Sequence, residues 1–154
     1  MKILIIDPER EVSHRISKDT SGGYGTGNDF GDTIVPTFLK KTLKVVHGWA
    51  PMFAVYTIAV LKKNGHDVHY SKILPNDLDL FDLYIVVSSI VCCETECANI
   101  KNIVQLNKKV LVIGPFATSN PKKYIDAGGT VILGEPEFFF MKNKDLSEIE
   151  NNKI

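Results

Sequence analysis

The sequence predicts a three-layer α/β domain in which a parallel five-stranded sheet is covered by helices on both faces. Three observations carry that expectation: short runs of β-branched and leucine residues, amphipathic stretches of helical period between them, and glycine or proline at the junctions. A chain of 154 residues fits one domain, able to bury roughly 70% of the surface that it exposes when unfolded.

Taken in chain order, "KILIID", Lys2 to Asp7, is continuously apolar up to Asp7, as a strand buried on both faces requires. From Pro8 to Asp32 no strand or helix pattern is visible, and "SGGYGTGNDFG" sets five glycines around Tyr24 and Phe30. Ordinary connections of this class run about two to six residues, so the loop 8–32 is expected to be functional, with a disordered surface excursion as the competing reading. "TIVPTFLKKTLKVV", Thr33 to Val46, and "PMFAVYTIAVLKKNGH", Pro51 to His66, repeat apolar residues at helical spacing. The second has proline at its start and Gly65 just past its end, which suits helix capping.

"DVHYSKI", Asp67 to Ile73, and "LYIVVSS", Leu83 to Ser89, are the next two strands. "ETECANIKNIVQLNKK" then places Cys97, Ile100, Ile103 and Val104 on one helical face and ends in lysines that suit the negative end of the helix dipole. "KVLVIG", Lys109 to Gly114, and "TVILG", Thr130 to Gly134, are the fourth and fifth strands, separated by "NPKKYIDAGG", a helix stopped by paired glycines. The domain is expected to span 1–141, and the polar stretch "KNKDLSEIENNKI" after it, 142–154, is expected to be a tail or linker outside the core.

Composition narrows the function classes. Eighteen basic residues balance eighteen acidic ones, and no basic stripe interleaved with aromatics appears, so nucleic acid is not expected as a partner. The apolar runs are too short to cross a bilayer, and no signal-peptide pattern is seen; a cytoplasmic protein without a membrane partner is expected. The three cysteines, Cys92, Cys93 and Cys97, cannot build a disulfide framework, and they are expected to be reduced and to fill the turn and the inner face of the helix that follows.

In an open parallel sheet, ligands bind outside the carboxyl ends of the strands, where connections diverge to opposite faces. The residues there are Asp7 and the glycine loop with Gly22, Gly23, Tyr24, Gly25 and Thr26; Ser88 and Ser89; Gly114, Pro115 and Thr118; and Gly134, Glu135 and Glu137. Small residues at these positions let backbone approach a ligand closely. "SGGYGTGNDFG" lacks the Gly-Lys-Ser/Thr ending of a phosphate loop and does not open a helix directly after a strand, so neither a phosphate loop nor a dinucleotide fingerprint is present. Asp7 is not placed where a phosphoacceptor aspartate would stand, after the third strand, since Ser88 and Ser89 occupy that position.

"LVIGPFATSNP" followed by "AGGTVILGEPEFFF", and preceded by "PMFAVYTIAVLKKNGHDVHY" and "LYIVVSSIV", resembles the N-terminal cobalamin-binding-type domain of cobalamin-dependent radical-SAM enzymes. The likeness covers about Met1 to Met141 and rests on the order and spacing of these segments. It implies a flavodoxin-like sheet of order 2-1-3-4-5, with cobalamin across the strand ends and its nucleotide tail among the glycine and serine loops. Carried over by position, the resemblance has Ser88 and Ser89 bonding the tail, Gly114 and Pro115 giving it room, and Glu135 and Glu137 in the first turn of a short helix, where carboxylates suit the dipole. The expected partner is a catalytic radical-SAM barrel in cis or in trans, and the reaction would be methyl transfer or rearrangement.

Two departures qualify that implication. The Asp-x-His-x-x-Gly motif, which supplies a lower cobalt ligand in mutase-type proteins, is missing; "DVHYSK" imitates only its beginning, so cobalamin is expected base-off, without that histidine, and His14 is the sole histidine in the long loop. The Cys-x-x-x-Cys-x-x-Cys motif is also missing: Cys93 and Cys97 have the first spacing, but position 100 is Ile100. By the resemblance, an iron-sulfur cluster and S-adenosylmethionine would be expected only in a domain outside this chain, which by itself is not expected to be catalytic. The alternatives are a small-ligand or nucleotide-binding module of the same fold without cobalamin, and an interaction domain whose site has decayed.

Overall fold

A computed structural model describes residues 1–8, 34, 50–146 and 149. Five strands form one all-parallel sheet: β1 Lys2–Ile6, β2 Asp67–Ser71, β3 Leu83–Val87, β4 Lys109–Ile113 and β5 Thr130–Val131. Their order is β2-β1-β3-β4-β5, the flavodoxin-like arrangement expected. The described helices are α1 Met52–Lys63, α2 Cys93–Gln105, α3 Pro115–Ser119, α4 Pro121–Asp126 and α5 Pro136–Lys142, with a 3-10 turn at Leu78–Leu80. The expected helix from Thr33 to Val46 lies outside the described residues save for Ile34, as do Gly22, Gly23, Tyr24, Gly25, Thr26 and His14.

Each interior strand splits its side chains between two cores, because successive residues point to opposite faces. Leu4, Ile6, Tyr84, Val86, Val110 and Val112 pack with Ile100 and Ile103 of α2 and Tyr124 of α4. Ile3, Ile5, Leu83, Ile85, Leu111 and Ile113 pack on the other face with Ala54 and Leu61 of α1 and Phe140 of α5. Both faces of β3 are buried along its whole length, which is why its sequence shows an apolar run and no alternation. β5, at the sheet edge, is shorter than expected: Ile132 N still donates to Val112 O at 2.9 Å, but Leu133 is exposed.

Two details differ from the sequence expectation. The buried face of α2 is Cys93, Glu96, Ile100 and Ile103, with Cys97 and Val104 half-buried at its margin, so a carboxylate occupies a position that the apolar period did not mark. After α5, Leu146 is fully buried and Ile149 packs against the same core, so the segment beyond 142 contributes to the fold although its composition is polar. One leucine burying its side chain is worth about 1.5–3 kcal/mol, enough to hold an otherwise solvated segment.

Candidate functional site

The β4 and β5 exits diverge. After β4 the chain turns into α3 and α4, whose Ala117 and Tyr124 join the α2-side core. After β5 it turns into α5, whose Phe140 joins the α1-side core. The gap opened between these two departures is a cavity of about 300 Å³ lined by Phe53, Gly114, Pro115, Thr118, Ser119, Gly134, Glu135 and Pro136. It lies outside the carboxyl ends of parallel strands, where such sheets take their ligands.

Gly114 makes the turn possible. Its φ of 116° and ψ of 166° belong to a region open essentially to glycine alone, and a Cβ there would stand 2.8 Å from Ser88 Oγ and 3.1 Å from Phe53 Cζ. The neighbouring exit is tied to it by hydrogen bonds: Thr118 Oγ1 donates to Gly114 O at 3.1 Å and accepts from Gly134 N at 3.2 Å. Gly134, at φ 79°, faces open space, with nothing within 4 Å of where a Cβ would be. Backbone and one threonine hydroxyl thus fix the two exits against each other and leave the space between them clear of other described residues.

Of the expected site residues, Gly114, Pro115, Thr118, Gly134 and Glu135 line this cavity. Glu137 stands one residue past the lining Pro136; it is half-buried, and its buried Oε2 has no hydrogen-bond partner among the described residues. Ser88 lies beneath the cavity, with its Oγ accepting from Ala117 N at 3.0 Å and its backbone N donating to Ile113 O at 2.8 Å. Asp7 directly follows β1 and is almost fully buried; Tyr70 donates its hydroxyl proton to Asp7 Oδ2 at 2.5 Å.

Ser89 is engaged internally. Its backbone N and Oγ donate to Glu96 Oε2 and Oε1 at 3.0 and 2.9 Å, and its Oγ accepts from Cys92 N at 3.1 Å. Tyr124 completes the cluster by donating to Glu96 Oε2 at 2.6 Å. A fully buried carboxylate is costly unless it is hydrogen-bonded, and these three donors satisfy that requirement. Burial, then the adjacent Glu96 carboxylate, raises the Tyr124 phenol above its ordinary range. The cluster pins the β3 exit to α2 and α4.

The cysteines take the filling roles expected of them: Cys92 and Cys93 are buried, and Cys97 is half-buried. Burial, followed by the neighbouring Cys93, pushes the Cys97 thiol up to about 11, so it is not an activated nucleophile. No group of three or more His, Cys, Asp or Glu that could hold a metal ion occurs among the described residues. Of the described histidines, His66 precedes β2 at the opposite end of the sheet, with Nε2 3.1 Å from Lys144 O, and His69 sits within β2 against Phe81.

Ser119 and Pro136 line the cavity from within the two exit loops marked in the sequence, whereas Phe53 lines it without having been singled out. Phe53 belongs to an amphipathic helix, where a phenylalanine signals core; only the approach of α1 to the β4 exit gives it a second role. No helix among the described residues is long and apolar enough to cross a membrane. Compared with known proteins, the chain matches no family model, no curated protein and no solved structure.

Proposed function

We propose that this chain is a cofactor-holding domain that takes a cobalamin-type cofactor at the carboxyl rim of its sheet and presents it to a catalytic barrel outside the chain. The observation that carries the reading is the cavity where the β4 and β5 connections part, since five of the strand-end residues expected to meet a ligand line it, three of them, Gly114, Pro115 and Glu135, given a place by the resemblance. Two further features support the fit. The orphaned Glu137 Oε2 is an acceptor next to the lining turn, and a corrin is ringed by amide groups that donate hydrogen bonds. The open space at Gly134 leaves bare backbone for a bulky flat group to approach.

At about 300 Å³ the cavity is at the lower end of small-ligand sites, a size that would take a fused ring such as the base of the nucleotide tail. In this arrangement Phe53, Pro115 and Pro136 supply apolar walls, and Ser119 and Glu135 supply the polar contacts. When bound, the cofactor supplies methyl-transfer or rearrangement chemistry to the partner barrel. The chain's own residues bind and orient it.

The test is a titration of the protein with hydroxocobalamin, followed by absorbance and calorimetry. One-to-one binding at micromolar or tighter affinity, lost in Ser119→Trp, is expected, because an indole at this exposed wall fills the cavity without entering the core. Binding that Ser119→Trp leaves unchanged, or no binding at all, would reject the reading.

A further inference from the structure

We infer that Thr118 is the positioning residue of the β4–β5 cavity: its hydroxyl holds the β5 wall in place against the β4 wall, and the affinity of a ligand that touches both walls depends on it. The inference rests on the reading of this cavity as the cofactor site and adds what controls its width.

The two walls are unequally anchored. On the β4 side Ala117 is fully buried, and its N donates to Ser88 Oγ at 3.0 Å, so this wall is tied into the core. On the β5 side the sheet pairing reaches Ile132, whose N donates to Val112 O at 2.9 Å, and the chain is buried again at Pro136. The three residues between them, Leu133, Gly134 and Glu135, are exposed, and Gly134 has open space where a side chain would stand. A short exposed span with few packed neighbours is the kind of segment that opens locally.

Thr118 joins the two. Its Oγ1 donates to Gly114 O at 3.1 Å and accepts from Gly134 N at 3.2 Å. With its proton committed to a carbonyl, the hydroxyl offers lone pairs, which is what an amide N–H needs. The bond to Gly134 is at the long end of the N–H···O range, so it holds the wall without locking it. Ser119 follows Thr118 on one wall and Glu135 follows Gly134 on the other, and both line the cavity. A ligand that bonds to both uses the spacing that Thr118 sets, and a wall already held in place costs less to order on binding. Loss of the hydroxyl spares the fold: Gly114 O keeps the backbone N of Thr118 as a donor at 3.1 Å, and the exposed Gly134 amide can turn to water.

The experiment compares the wild-type chain with Thr118→Val, which keeps the shape without the hydroxyl, and Thr118→Ser, which keeps the hydroxyl without the methyl. Amide hydrogen exchange is read by NMR, and hydroxocobalamin is titrated by calorimetry. In Thr118→Val, exchange at Gly134 should rise about fivefold, the worth of one hydrogen bond, while the amides of β3 and β4 stay as they are. The hydroxocobalamin Kd should rise by a similar factor of about five, and Thr118→Ser should restore both quantities to within about twofold.

Unchanged exchange at Gly134 in Thr118→Val, exchange raised throughout the sheet, cobalamin bound as tightly by the valine variant as by the wild type, or a serine variant that behaves like the valine one would each overturn the inference. No cobalamin binding by the wild-type chain would reject the cofactor reading, and the exchange comparison would still decide whether Thr118 holds the wall.

Discussion

Replacing Gly114 by alanine probes the turn on which the rim depends. The backbone there, φ 116° and ψ 166°, costs about 1–3 kcal/mol for any residue with a Cβ. The added methyl would also stand 2.8 Å from Ser88 Oγ and 3.1 Å from Phe53 Cζ. Phe53 is half-buried and can swing, but Ser88 Oγ is held by Ala117 N at 3.0 Å, so the overpacking cost is about 1–3 kcal/mol. Together these give about 2–6 kcal/mol against a total stability on the order of 5–15 kcal/mol for a domain. Gly134→Ala is the control: its φ is 79° with nothing within 4 Å, so it should lose only the backbone part, about 1–2 kcal/mol. Urea unfolding of both variants reads the difference, which should be at least about 1 kcal/mol. Equal losses would refute the argument that Ser88 and Phe53 close on the glycine.

Other consequences follow from the buried clusters. Tyr124→Phe removes one of the donors to the Glu96 carboxylate and should cost about 1–3 kcal/mol in chemical denaturation; a neutral result would mean that the cluster does not pin the β3 exit. Tyr124 and Tyr84 both have phenols raised by burial, the latter also by Asp79 and Asp77, so the stability they contribute is fully present below the ordinary tyrosine range near pH 10 and is lost as pH rises above it. The alkaline decline of unfolding free energy should therefore be shallower in Tyr124→Phe, by up to about 1.4 kcal/mol per pH unit; an unchanged slope would contradict it. Cys97, with its thiol at about 11, should react with iodoacetamide at pH 8 about tenfold more slowly than a free cysteine, since the gain in nucleophilicity offsets only part of the lost thiolate. Mass spectrometry of the alkylated peptide would reveal faster labelling.

The sheet was legible in the sequence because a parallel strand covered on both faces leaves a continuous apolar run, and all five runs became strands in the expected order. The glycine exits were legible for a related reason: Gly114 and Gly134 stand where an apolar run stops and hold positive φ. What escaped was assembled from distant parts. Glu96 finds Ser89 seven residues away and Tyr124 twenty-eight residues away, a pairing that no local period records. α3 spans five residues, too short for a helical repeat to show. Leu146 is a lone leucine in a polar stretch, and only the shape of the α1-side core explains its burial.

The central claim is that the β4–β5 rim holds the cofactor, and amide chemical-shift mapping with hydroxocobalamin tests it most directly. The account predicts perturbations concentrated at Gly114, Thr118, Ser119, Gly134 and Glu135, with the opposite end of the sheet around Gly65 and Asn107 unmoved. Perturbations centred on that opposite end, or an unchanged spectrum at saturating hydroxocobalamin, would contradict it.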